Sequence, residues 1–98
     1  MRTLRDYELM TVFRPDLEEQ PLQEAVERLN GTITARGGES SGSDTWGRRR
    51  LAYPIRDFHD GIYHITRLKL DPTNADELER NLKLNDQIIR YLLIRPEK

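Results

Sequence analysis

Three arginines in a row, Arg48, Arg49 and Arg50, stand between Trp46-Gly47 and the run Leu51-Ala52-Tyr53-Pro54-Ile55. A guanidinium holds phosphate through two parallel hydrogen bonds and lays its flat face on a base. Three of them in one short segment, behind a glycine and ahead of an apolar stretch that can anchor in a sheet, make a cationic loop fixed to a strand. The chemistry this suits is binding of nucleic acid. Tyr53, inside the apolar run, and Arg90, in a second apolar stretch near the C-terminus, are lesser candidates for the same contact. Arg56, Arg67, Lys69 and Lys83 read individually as ordinary surface charges.

Other chemistries find little to work with. His59 and His64 have no further ligands at useful spacing, so no metal site is expected. Ser40, Ser41 and Ser43 lie in a Gly/Ser tract with no visible base partner, which leaves no nucleophile. That tract also lacks the Gly-Lys-Ser/Thr ending of a phosphate-binding loop. No cofactor, catalytic residue or small-molecule substrate is expected. There is no cysteine, which excludes disulfides and thiolate metal sites and fits a reducing cytosol.

The 98 residues make one domain, residues 1–98, with a core of modest size. Net charge is only −1, so affinity for a polyanion must come from local clustering. Residues 14–30 hold five acidic and two basic side chains, and residues 71–79 hold four and none. Residues 46–70 reverse this with six basic against two acidic, and residues 80–98 carry five against two. Residues 1–6 show no apolar signal core, and no apolar run approaches the ~18 residues of a membrane span. Neither export nor a membrane location is expected.

The elements that would position the arginines can be read from periodicity. Asp6 to Phe13 alternates Tyr7, Leu9, Thr11 and Phe13 against Glu8, Met10 and Val12, the pattern of a strand. Leu22, Val26, Leu29 and Ile33 recur as a helical stripe with Pro21 in the first turn, and Gly37-Gly38 ends it. The spacing predicts a loop or a weak edge strand over Gly37 to Asp44. Trp46 to Ile55 reads as a third strand entered from a hairpin at Gly47, with Pro54 requiring an edge, a bulge or the end of pairing. After a turn around Asp57 to Gly61, Ile62 to Leu70 is extended. Asp71 to Asn74 turns into a helix capped by Thr73 or Asn74, with Ala75, Leu78 and Leu82 as its stripe. Gln87 to Arg95 is apolar on both faces, which suits an inner strand, and Pro96 closes it.

The order is β-α-β-β-α-β, an α+β ferredoxin-like plan: a four-stranded antiparallel sheet with two helices on one face. Its helix-free face, part apolar and part cationic, is a docking surface. The RNA-recognition motif shares this plan and stacks bases on sheet aromatics. Its basic-Gly-aromatic-Gly-aromatic pattern is absent, so Tyr7, Tyr63 and Tyr91 read as core.

Trp46-Gly47-Arg48-Arg49 followed by Leu51-Ala52-Tyr53-Pro54-Ile55 resembles the motif of the bacterial small-subunit ribosomal protein six family. Tyr7-Glu8, Gly61, Tyr63, Asn85-Asp86 and Ile89-Arg90 extend the resemblance over about residues 5 to 95. It implies a cytoplasmic, ribosome-associated structural protein that binds the central domain of 16S ribosomal RNA as a heterodimer with small-subunit protein eighteen. On that reading Arg48, Arg49, Arg50, Tyr53 and Arg90 face RNA. Met10, Val12, Ile88 and Leu92, chosen by facing pattern, meet the partner protein. Two other readings use the same fold. An acylphosphatase-type enzyme would need a Gly-rich phosphate loop after the first strand, which Arg14-Pro15-Asp16-Leu17 does not supply. A regulatory module that dimerises through its sheet and binds a small molecule is the other.

Overall fold

Strand β1 (Arg5–Phe13) is the centre of the sheet, paired along its whole length with β3 (Phe58–Leu70) and over most of it with β4 (Ile88–Ile94). The computed structural model describes residues 3–95; the expected closure at Pro96 lies outside them. The remaining elements are α1 (Glu19–Ala35), β2 (Glu39–Ile55), a 3-10 turn (Pro72–Asn74) and α2 (Ala75–Lys83). All pairings are antiparallel, in the order β2-β3-β1-β4. This is the ferredoxin-like β-α-β-β-α-β arrangement that periodicity points to.

One face of the sheet takes both helices. Tyr7, Leu9 and Phe13 of β1 share a buried cluster with Ala25, Leu29 and Ile33 of α1 and with Leu78 and Leu82 of α2. Leu22 and Val26 flank this cluster half-buried, so the burial axis of α1 runs through Ala25 as well as the expected stripe. The helix stops where Gly38 N–H donates to the Ile33 carbonyl and Gly37 N–H to the Thr34 carbonyl, each at 2.9 Å, satisfying carbonyls the helix leaves open.

Four expectations need correction, while for Gly37 to Asp44 the edge-strand alternative holds. This segment is edge strand from Glu39 onward, paired with β3 across an irregularity between Ser40 and Gly42. Its Ser and Gly side chains lower strand propensity, but ladder bonds to a well-anchored β3 override it. No hairpin occurs at Gly47. Pairing passes from Thr45↔His64 to Gly47↔Tyr63, leaving Trp46 as the extra residue of a bulge. Gly47 sits there at φ +86°, a conformation open to glycine. The true turn is the pair Arg56-Asp57, at φ 51° and 68°, and it connects directly paired Ile55 and Phe58 as two-residue hairpin turns of the I′ type do. Phe58 to Gly61, expected within the turn, therefore belong to β3.

β4 is an edge strand, not an inner one. Its apolar residues divide between the faces: Ile88, Tyr91 and Leu93 pack on the helix side, while Leu92 and Ile94 are 45% and 42% exposed. Finally, the turn before α2 is capped by Asp71, whose carboxylate accepts from Thr73 N–H at 3.0 Å and Thr73 Oγ1 at 2.9 Å. Asn74 instead donates from Nδ2 to the Arg36 carbonyl at 2.9 Å, tying the end of α1 to the start of α2.

Candidate nucleic-acid interface

The β2–β3 hairpin outruns its neighbours. β1 ends at Phe13↔Ile62, while β2 and β3 continue pairing through Arg49↔Gly61 and Arg50↔Asp60 to the Arg56-Asp57 turn. Between Arg50↔Asp60 and Ile55↔Phe58, the four residues Leu51 to Pro54 face the single residue His59. Such an irregularity bends a ribbon, and the exposed Pro54, which has no N–H for a ladder, sits within it.

The bend folds the arm across the helix-free face. Leu51, 8% exposed, joins Val12 of β1 and Ile89 of β4 in a second buried cluster, flanked by Ile55, Phe58 and Tyr63. No helix residue belongs to it. Gly61 permits the close approach: a Cβ there would stand 2.2 Å from Val12 Cγ1. Further out, Arg90 Nη1 donates to the Tyr53 hydroxyl at 3.1 Å, and its guanidinium carbon lies 5.8 Å from the Tyr53 ring centroid. Tyr53 and Arg90, distant in sequence, thus form one pair, and Tyr53 stays 57% exposed.

The arginine triplet divides by pairing register. Arg48 pairs with Ile62, whose side chain belongs to the helix-side cluster, and its Nη2 donates to the Pro15 carbonyl at 2.8 Å. It fastens the base of the arm to the loop after β1. Arg49 and Arg50 are exposed, and their side chains make no hydrogen bond or ion pair among the described residues. Neither guanidinium is ion-paired with a carboxylate among the described residues. Arg14, not singled out in the sequence, pairs bidentately with Asp16 at 2.9 and 3.2 Å and lies 5.4 Å from the Phe58 ring centroid. Arg67 pairs with Asp44 at 3.2 Å.

The four residues expected to meet a partner protein separate as well. Met10 and Leu92 are directly opposite in the β1–β4 register, and Ile65 flanks Met10 on β3, so the three form an apolar row across the helix-free face. Val12 lies on the same face at 0% exposure, already covered by the arm. Ile88, at 2% exposure, belongs to the helix-side core. A bulge explains it: Val12 pairs with Arg90 and Phe13 with Ile88, so Ile89 is the extra residue and facing inverts there. Alternation alone cannot locate such a bulge.

His64 is 2% exposed, with Nδ1 2.8 Å from Thr45 Oγ1. Burial lowers its pKa, and the carboxylate of Asp44 offsets part of that effect. Among the described residues no three His, Asp or Glu side chains gather to hold a metal, and no helix is long and apolar enough to cross a membrane.

Fold and site together define a ferredoxin-like domain whose open sheet face is partly closed by a basic hairpin arm. The ribosomal protein S6 family model matches residues 6–95, and the chain belongs to that family. Its structure is similar to the crystal structure of 30S ribosomal protein S6 from Thermotoga maritima, with a TM-score of 0.89 and 30% sequence identity over 96% of this chain and 89% of that one.

Proposed function

We propose that this chain is a structural constituent of the bacterial small ribosomal subunit, acting in the cytoplasm, where it binds the central domain of 16S ribosomal RNA together with small-subunit protein eighteen. The observation that carries this reading is the family match across nearly the whole chain. It is supported by the similarity to a protein that is itself a 30S component. Arg49 and Arg50, exposed and with side chains unpartnered among the described residues, are the first contacts with RNA phosphate. Arg48, Tyr53 and Arg90 contribute while also holding the arm. Phosphate contacts of this sort fix position and recognise RNA shape more than sequence.

The partner protein is proposed to cover Met10 and Leu92, extended by Ile65 and Ile94. Val12 and Ile88 leave that surface because the arm and the helices already cover them. Turnover chemistry has no part in this role. The loop where an acylphosphatase would hold its phosphate has its one arginine, Arg14, engaged by Asp16.

The test is the double substitution Arg49→Ala with Arg50→Ala, measured as binding to the RNA central domain with protein eighteen present. Affinity should fall, and the slope of log K against log salt should shrink by about one for each phosphate that the variant no longer neutralises. An unchanged slope removes both arginines from the interface, and no binding by the parent chain rejects the reading.

A further inference from the structure

A cavity of about 380 Å³ opens where the hairpin arm meets the end of α2 and the start of β4. Arg56, Lys83 and Arg90 line it, over a wall that includes Ile88, Ile89 and Tyr91. Its three cations come from three elements: Arg56 from the turn of the arm, Lys83 from the last residue of α2, and Arg90 from β4. They meet because Leu51 packs on Val12 and Ile89 and because Tyr53 rests on Arg90.

Charge balance shows what this cavity suits. The side chains of Arg56 and Lys83 make no hydrogen bond or ion pair among the described residues, and Arg90 is engaged by the phenol of Tyr53. Against these three stands the carboxylate of Glu79, beside Tyr91. Partial burial first, and Glu79 second, raise the Tyr91 pKa. Three like charges lining one concave site repel one another, and an anion placed among them turns that repulsion into attraction. The apolar floor of Ile88 and Ile89 strengthens the effect by keeping water away from one side. Two guanidinium forks and one ammonium match a tetrahedral oxyanion that offers several acceptor oxygens.

We infer that this cavity is a phosphate seat, and, resting on the function proposed above, that its occupant is a backbone phosphate of the bound RNA. The seat is assembled by docking of the arm, so a stretch distant from the arginine triplet becomes a principal contact. Arg56 and Lys83, which read as ordinary surface charges in the sequence, are specificity-neutral anchors for the strand.

The full chain, as wild type and as the double variant Arg56→Asn with Lys83→Gln, tests this. Asparagine suits the positive φ of the turn, and both positions are exposed, so the fold should persist; far-UV circular dichroism and thermal melting check it. Titration with inorganic phosphate, followed by amide and arginine side-chain NMR, should move the signals of residues 56, 83 and 90 in the wild type and leave the variant still. Binding to the RNA central domain should weaken several-fold, and the salt slope should drop by about one, for the one phosphate no longer neutralised. Phosphate shifts spread evenly over all basic residues, or a variant with the parent affinity and slope, would overturn the seat. Phosphate held at residues 56, 83 and 90 by a chain that binds no RNA would keep the seat and overturn both its RNA occupant and the proposed function.

Discussion

The two faces of the sheet are each closed over apolar residues, but by different means. On one, α1 and α2 lay down whole turns of leucine, isoleucine and alanine onto Leu9, Phe13, Leu68 and Leu70. On the other, a bent hairpin presses Leu51 onto Val12 and Ile89, and the row Met10, Ile65 and Leu92 beyond it stays partly open. The first closure holds the fold together; the second shapes the working surface. A core sealed by helices loses stability when cut, whereas a core sealed by an arm loses the placement of Tyr53, Arg56 and Arg90.

The sharpest way to probe this contrast is to cut each side in turn. Phe13 is fully buried on the helix side and meets His64 edge-on at 6.3 Å between ring centroids. Phe13→Ala should cost about 3–5 kcal/mol, a large part of the ~5–15 kcal/mol that holds a domain folded. Urea unfolding should show a much lower midpoint. A loss below about 2 kcal/mol, short of the usual range for such a truncation, would show that the helix-side cluster is not the main support of the fold.

Gly61→Ala cuts the other side without removing any apolar area. Its new methyl would stand 2.2 Å from Val12 Cγ1 and 3.6 Å from Leu51 Cδ2, with the Phe13 carbonyl at 3.5 Å. Because Val12 is fixed in the central strand, the arm must lift, and overpacking of this kind costs about 1–3 kcal/mol. The expected outcome is a moderate drop in stability together with separation of Tyr53 from Arg90, read from the ring and guanidinium NMR signals. A variant that is equally destabilised yet keeps that pair together would show that arm and face are not coupled.

These two closures also differ in how far the sequence reveals them. Helix-side residues announce themselves by period, as with Leu29 and Ile33 on α1, Leu78 and Leu82 on α2, and Tyr7, Leu9 and Phe13 on β1. The element order follows from them. Arm-side geometry depends on three departures from period: the bulge at Trp46, the irregular pairing of Leu51 to Pro54, and the extra residue Ile89. Each changes which face a later side chain takes. For that reason Ile88 reads as a surface residue and β4 as an inner strand when period alone is followed. Gly47 and Pro54 are the visible signs of irregular backbone, yet a glycine in a strand is compatible with a bulge as well as a hairpin. The triplet Arg48 to Arg50 is legible as charge, but not the engagement of Arg48 by Pro15 or the meeting of Arg56 with Lys83 and Arg90, which follow from tertiary approach alone.

A third, smaller effect sharpens the contrast through pH. The helix-side core contains a polar row, with Thr11 Oγ1 donating to the His64 carbonyl at 3.3 Å and Thr45 Oγ1 2.8 Å from His64 Nδ1. A protonated imidazole needs acceptors for both ring nitrogens. Nε2 of His64 is buried with no hydrogen-bond partner among the described residues, so the folded state disfavours the charged ring, and burial lowers the pKa from 6.5. As pH falls through 6.5, the unfolded chain takes up a proton at this residue while the folded chain resists. Stability from this group is therefore fully present above 6.5 and is lost between there and the lower folded value. Below that value it changes no further. Urea midpoints measured across this range should decline in the parent chain more than in His64→Gln, whose side chain carries no titrating proton, and the His64 ring signals should titrate below 6.5 in the folded protein. Identical pH dependence in the two chains would mean that the ring charges in place without penalty. The helix-side core would then be open enough to solvate an imidazolium, and the distinction between a sealed back and a working front would lose its physical basis.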